Sequence, residues 1–145
     1  MTKFFEKYRR DIVGVIWLAT GLFLFLSLLS FDPKDPSFNT IGSGHTVHNY
    51  CGYIGSFIAD LVFQVFGMTS WLIVFGICRM AYRCFSGKNT EFINSGLVLA
   101  ILLQMTVASL ISLHFPNKRI YLNQILASGV LGAVLTKGLV SAFNF

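Results

Sequence analysis

Charged residues are scarce in this sequence. Only 12% of its 145 residues are Asp, Glu, Lys or Arg, whereas 54% are hydrophobic and 15% are aromatic. A soluble domain carries about a quarter charged residues, so most of this chain is predicted to lie in a lipid bilayer. The formal charge of +5 is small and scattered, which argues against direct nucleic-acid binding by this chain.

Cysteine is also scarce, and no grouping of catalytic side chains is found. Three cysteines are widely spread: Cys51, Cys78 and Cys84. We interpret them as small apolar side chains and not as a disulfide framework. His45 and His48 lie near Cys51 but supply too few ligands for a metal site. We therefore predict no catalytic residue, no metal and no cofactor.

The segment 85–90, FSGKNT, superficially resembles a nucleotide-binding loop. A phosphate loop needs an earlier glycine and a hydroxyl after the lysine. Tyr82 stands at the first position and Asn89 at the second. The segment is therefore predicted to be a turn, and the chain is predicted not to be an enzyme.

Long apolar runs dominate what is present. Three transmembrane spans are predicted: 12–31, 53–78 and 92–113. The first has 20 residues and no charge, which is the length that a helix needs to cross a bilayer. The segment 125–145 is apolar but carries Lys137, which costs about 2.5–3.5 kcal/mol at mid-bilayer. It is predicted to span marginally, to re-enter or to lie in the interface. The fold class is an all-α, polytopic transmembrane helical bundle.

Two Asp-Pro pairs follow the first run. Asp32 and Asp35 each precede a proline, which disfavours helical backbone for the preceding residue. We therefore expect the first helix to end near Phe31. Because a carboxylate is costly to bury, both acids are expected to hold the following loop in water, while Phe38 returns to the interface as an anchor.

The basic residues predict the orientation. The head, residues 1–11, carries four Lys or Arg and the loop 79–91 carries three, whereas the loops 32–52 and 114–124 carry one and two. Lys and Arg accumulate in cytoplasmic loops. The N-terminus is therefore predicted to be cytoplasmic, and the Asp-Pro loop is predicted to lie outside. The membrane domain proper is 12–145.

Asp60 is the most informative ionisable residue. The predicted second span puts it about two turns inside the membrane, with Gln64 one turn further on the same face. Small residues nearby let helices approach closely: Gly52, Gly55, Ser56, Ala59 and Gly67. One hypothesis is a polar seam that joins helices or subunits of a homo-oligomer. Another is a small ion- or proton-coupled transporter subunit that uses Asp60, and a third is a side chain that reaches the outer surface.

Three segments combine small and polar residues in a specific way: FDPKDPSFN, VHNYCGYIGSFIADLVFQVFG and ASGVLGAVL. In this combination the chain resembles the N-terminal membrane domain of the FtsK/SpoIIIE family of bacterial DNA translocases. The positions that match are Asp35, Pro36, Ser37 and Phe38, then Asn49, Gly52, Gly55, Ser56, Ala59 and Asp60, then Phe66 and Gly67, and finally Ser128, Gly129 and Gly132.

This resemblance implies a function that composition alone does not. It implies a membrane anchor and scaffold in the bacterial inner membrane that targets a translocase to the division septum, forms homo-oligomers and recruits other division proteins. Cell division and chromosome segregation are the processes it would support. Members of the family continue into a further membrane helix, a linker, an ATP-driven motor and a winged-helix DNA reader. In that order the segment 125–145 precedes the last membrane helix.

Overall fold

The computed structural model describes residues 2–38, 40, 46–87 and 95–143. The elements of these ranges are α1 Thr2–Leu29, α2 Gly52–Phe66, a 3-10 turn Gly67–Thr69, α3 Ser70–Phe85, α4 Ser95–His114, β1 Arg119–Ile120, β2 Ile125–Leu126 and α5 Gly129–Phe143. This confirms the predicted all-α membrane bundle. Three helical stretches of the described chain are long and apolar enough to cross a bilayer, namely Lys7–Leu29, Gly52–Phe85 and Gly96–His114, and α5 is a shorter apolar helix.

The first helix ends where the two Asp-Pro pairs begin. α1 ends at Leu29, and the next two amides still donate to helix carbonyls, Ser30 N to Leu26 O and Phe31 N to Leu28 O. The chain then turns, because Asp35 N donates to Asp32 O at 3.0 Å. We call the end of the bundle at which α1 terminates the distal end.

The region predicted as one span, 53–78, forms two helices that meet at Gly67. This glycine has φ +58° and ψ −138°, and it ends α2. The hydroxyl of Ser70, at the start of α3, donates to Gly67 O at 2.6 Å. α3 then continues to Phe85, beyond the predicted end at Cys78. A residue with a side chain rarely adopts positive φ, so the glycine permits this interruption.

α2 lies beside the last turns of α1. At its start, Cys51 Sγ lies 3.6 Å from Phe23 O. Near its end, the Phe63 ring lies 5.1 Å from the Phe31 ring, centroid to centroid. α2 therefore runs toward and just past the distal end of α1.

α3 returns along α1 in the opposite direction. The Trp71 ring lies 6.0 Å from the Phe25 ring, whereas Gly14 lies against Cys84 and Phe85 at the other end of the contact. The missing side chain of Gly14 lets the two helices approach closely. α1 and α3 thus form an antiparallel pair through most of the bundle.

The hairpin between α4 and α5 completes the distal core. β1 and β2 pair antiparallel, with Ile120 opposite Ile125. Ile125 is 2% exposed and belongs to the buried cluster of Leu24, Leu28, Ala59, Phe63, Val74 and Ile125. Tyr121 adds its ring to those of Phe31 and Phe63, and burial raises the pKa of its hydroxyl above the ordinary value. The largest buried side chains therefore lie at the distal end.

Candidate functional site

The carboxylate of Asp35 is a buried anchor for the loop that follows α1. Asp35 is 2% exposed. Its Oδ1 accepts the backbone N–H of His48 at 3.0 Å, and its Oδ2 accepts that of Asn49 at 2.9 Å. The His48 ring nitrogen Nδ1 lies 3.1 Å from Oδ1. The expectation that this acid faces water is wrong, because backbone donors replace the water that the carboxylate loses.

Asn49 joins the same loop to α1. Its Nδ2 donates to Ser27 O at 2.8 Å, and its Oδ1 accepts Cys51 N at 3.0 Å. Gly55 lies directly against this amide, since a Cβ there would overlap Asn49 Oδ1 and Cys51 Cβ. Any residue other than glycine at position 55 would overlap the side chain of Asn49.

Ser56 closes the network from α2. Its hydroxyl donates to Pro36 O at 2.6 Å, and Ser37 N donates to Thr40 O at 2.8 Å. Phe38 extends outward, 70% exposed, with its ring edge-on to Phe57 at 5.0 Å. We call the set Asp35, Pro36, Asn49, Gly55 and Ser56 the distal clamp. It joins α1, the following loop and α2.

A second contact joins the α2–α3 interruption to the start of α5. At Gly67 a Cβ would overlap Ala127 O and the amide of Gly129, and at Gly129, with φ +66°, it would overlap Val65 O. Met68 N donates to Ala127 O at 2.8 Å across the contact. We call Gly67, Ala127 and Gly129 the glycine junction. Backbone meets backbone here, so both glycines are required by space as well as by conformation.

The remaining motif residues flank the glycine junction. Phe66 O accepts the Thr69 hydroxyl at 2.6 Å, and Ser128, 6% exposed, donates to Gly129 O at 3.2 Å. Gly132 packs on α4, where a Cβ would lie 2.6 Å from Ala108 O. Motif positions that are distant in sequence therefore form two compact contacts.

Gln104 ties α4 to the same region, and the sequence reasoning did not single it out. It is 8% exposed, and its Nε2 donates to Thr69 O at 3.0 Å and to Thr69 Oγ1 at 2.7 Å. The signal that could have identified it is a side-chain amide within an apolar run, because such side chains form hydrogen bonds across membrane helices.

We expect Gln104→Leu to lower the free energy of unfolding by about 1–2 kcal/mol, because Thr69 loses its donor while packing volume is kept. Thermal unfolding in detergent micelles measures the change. Thr106→Val is the matched control, since the Thr106 hydroxyl donates only within its own helix, to Leu102 O. Equal effects of the two substitutions would contradict a bridging role.

Asp60 lies in a polar cavity at the distal end. Asp60 is 5% exposed, and its carboxylate accepts Gln64 Nε2 at 2.8 Å. The cavity has a volume of about 320 Å³ and is lined by Thr40, Asp60, Gln64, Arg119, Asn123, Gln124 and Ile125. The predicted position two turns inside a membrane span stays a prediction, and Asp60 lies in the apolar stretch Gly52–Phe85. Asp60 and Arg119 give the cavity one carboxylate and one guanidinium.

The residues predicted to form a seam lie mostly inside this chain. Five of them are buried: Gly55, Ser56, Ala59, Asp60 and Gly67. Gly52 and Gln64 are half-buried. Gly52 adopts φ +65° with no atom near its would-be Cβ, so its role is conformational.

Of the histidines and cysteine considered as ligands, His45 lies outside the described residues. His48 is exposed beside Asp35, and Cys51 contacts the α1 backbone. Within the described ranges no three His, Cys, Asp or Glu side chains are placed to share a metal ion. The geometry of the distal end holds helices together and offers a polar recess.

The chain matches the family model described as the 4TM region of DNA translocase FtsK/SpoIIIE over residues 6–145. It is 33% identical over 110 residues to DNA translocase FtsK 1 of Neisseria meningitidis serogroup A, covering 72% of this chain and 14% of the relative. It is 30% identical over 102 residues to DNA translocase FtsK of Rickettsia prowazekii, covering 69% and 13%. The chain thus spans about a seventh of the length of these curated relatives. None of the solved structures matches it.

The family match therefore covers nearly the whole chain, including both the distal clamp and the glycine junction. Its apolar helices are those of a membrane-anchored protein. This chain belongs to the family of 4TM membrane regions of FtsK/SpoIIIE DNA translocases.

Proposed function

We propose that this chain anchors an FtsK-type DNA translocase in the bacterial inner membrane at the division septum, in support of cell division and chromosome segregation. The observation that carries the proposal is the coincidence of the matched motif with the two contacts that unite the helices at the distal end. The anchor holds its partners in place and hydrolyses no ATP itself. We assign translocation to a part of such a translocase that this chain does not match.

We place the N-terminus in the cytoplasm and the distal end in the periplasm. Basic side chains gather at the end opposite the distal clamp: Lys7, Arg9, Arg10, Arg79 and Arg83. Arg10 Nη1 donates to Gly87 O at 3.3 Å, which brings the basic head next to the turn after α3. Basic residues are retained on the cytoplasmic side, and this supports the orientation.

The Asp60 cavity is the proposed contact with periplasmic division proteins. It presents a carboxylate and a guanidinium beside the side-chain amides of Gln64, Asn123 and Gln124. Charges that complement those of a partner give an interface its orientation and selectivity. The Asp60 carboxylate accepts Gln64 Nε2 at 2.8 Å, and we favour a contact site over the ion-relay alternative.

We propose further that the anchor forms homo-oligomers. The small residues of α2 are occupied inside the protomer, so the contact between copies uses other surfaces. Oligomers are measured by chemical cross-linking of the protein in native membranes. A monomer at every cross-linker concentration would contradict this part of the proposal.

The function is tested with this chain fused to a fluorescent protein in dividing bacteria. We expect a midcell band, and a uniform membrane signal throughout division would contradict septal targeting.

In the same cells, Arg119→Glu is expected to reduce co-purification of division proteins about tenfold, as loss of a close charge pair at an interface does. Lys118→Glu is the matched control, because Lys118 lies over the Phe115 ring and not in the cavity.

A further inference from the structure

We propose that α2 is an interfacial helix, which lies in the distal leaflet with its apolar face against lipid and does not cross the membrane. The described helices that cross are then α1, α3 and α4. This inference depends on the geometry of the distal end and not on septal targeting, so it stands or falls separately from the proposed function.

The first argument is length. Gly52–Phe85 has 34 residues, which at helical rise is about 51 Å, far more than a bilayer core of about 30 Å. The interruption at Gly67 divides this stretch. The 3-10 turn and α3, Gly67–Phe85, together reach about 30 Å, which is one crossing without α2.

The second argument is the height of α2 along α1. Two contacts give the height of α2 along the first segment, residues 12–31: Cys51, before its start, lies beside Phe23, and Phe63, near its end, lies beside Phe31. Phe23 precedes the end of α1 at Leu29 by six residues, or about 9 Å of rise. An interfacial helix is buried about 5–10 Å into the boundary between headgroups and acyl chains. α2 occupies this depth.

The third argument is the division of α2 into two unlike faces. Its inner face carries Asp60 with the small residues of the distal clamp. The outer face, together with Phe38, forms a groove of about 340 Å³ without polar lining, made by Phe38, Tyr53, Ile54, Phe57, Ile58 and Leu61. Ile54 is 69% exposed and Leu61 is 51% exposed. Asp60, the single charge of α2, therefore lies away from this surface.

The occupant of this apolar face is lipid. At the same height along the bundle, Leu22 and Leu29 of α1 are each 56% exposed, and exposed apolar side chains of a spanning helix face acyl chains. Tyr50 and Tyr53, 74% and 56% exposed, stand at the start of α2. Tyrosine is enriched in the interfacial region, where its ring is in lipid and its hydroxyl reaches water, so both tyrosines fit a helix that lies in that region.

Depth-dependent fluorescence quenching tests the inference. Trp17 and Trp71 are replaced by Phe, one tryptophan is introduced as Ile54→Trp or Leu61→Trp, and the protein is reconstituted in phosphatidylcholine vesicles brominated at shallow or deep acyl positions. We expect both sites to be quenched about twofold more by the shallow lipid, because an interfacial helix lies near the headgroups. Leu102→Trp, in the middle of α4, is the control and is expected to show the reverse.

Two outcomes would overturn the inference. Stronger quenching of either α2 site by the deep lipid would mean that α2 enters the bilayer core. No quenching at either α2 site, with Leu102→Trp quenched, would mean that a protein covers the face. If Trp71→Phe weakens folding, a nitroxide on Ile54→Cys, with the three native cysteines changed to alanine, gives the same depth from oxygen and nickel-chelate accessibility.

Discussion

Replacing Gly129 with alanine is expected to lower the free energy of unfolding by about 3 kcal/mol, because alanine pays for a left-handed backbone and for overlap with a neighbouring main chain. The backbone at Gly129 has φ +66°, and a Cβ would overlap Val65 O and lie 2.6 Å from Gly67 N. These neighbours are backbone atoms of the α2–α3 interruption, which cannot rotate away as a side chain can. The substitution therefore separates α5 from α2 and α3.

Thermal unfolding in detergent micelles, followed by circular dichroism, measures this loss. Gly138→Ala is the matched control on the same helix, since nothing lies within 4 Å of a Cβ at that position. The control is expected to leave stability unchanged or to raise it by up to about 1 kcal/mol through helix propensity. Equal melting curves for the two variants would show that the glycine junction does not hold α5.

The second large effect is expected for Asp35→Ala, which should cost about 3 kcal/mol because it strands buried donors. The amides of His48 and Asn49 both donate to this carboxylate. Once it is removed, Asn49 is no longer held in position against Ser27 and Gly55. We therefore expect the loop to detach from α1, with increased protease cleavage between residues 32 and 51.

The chain provides its own control in the other Asp-Pro pair. Asp32 accepts one exposed hydrogen bond, from Lys34 N at 2.9 Å. Asp32→Ala is expected to cost no more than about 1 kcal/mol, as loss of one such bond does. Similar losses of stability for both aspartates would show that burial of Asp35 contributes nothing, and that the Asp-Pro backbone alone shapes the loop.

The contrast between these two aspartates shows which features neighbouring residues in the sequence can predict. Both precede proline, and both were expected to face water for the same reason. The end of α1 near Phe31 follows from that local rule, whereas the burial of Asp35 depends on amides that arrive from 13 and 14 residues later. Desolvation cost is set by the final neighbours of a group, and sequence order does not show them.

The glycine patterns likewise predicted close packing but not the partners of that packing. The small residues around Gly55 and Gly67 indicated close packing, and they do pack closely. Their partners turned out to be Asn49, Ala127 and Gly129 of the same chain. A pattern of small residues indicates that another segment packs closely against them, but it does not identify that segment.

By itself, the sequence determined the membrane class, the apolar helical stretches, the end of α1 and the asymmetry of basic charge, because each depends on the transfer of contiguous residues between water and lipid. Only the tertiary structure decided that 53–78 is interrupted at Gly67, that Asp60 faces a distal cavity, and that Gln104 bridges to Thr69. An apolar run is equally compatible with one long helix or two short ones. The choice depends on the close approach of Gly129 and Ala127, which the folded chain alone brings to Gly67.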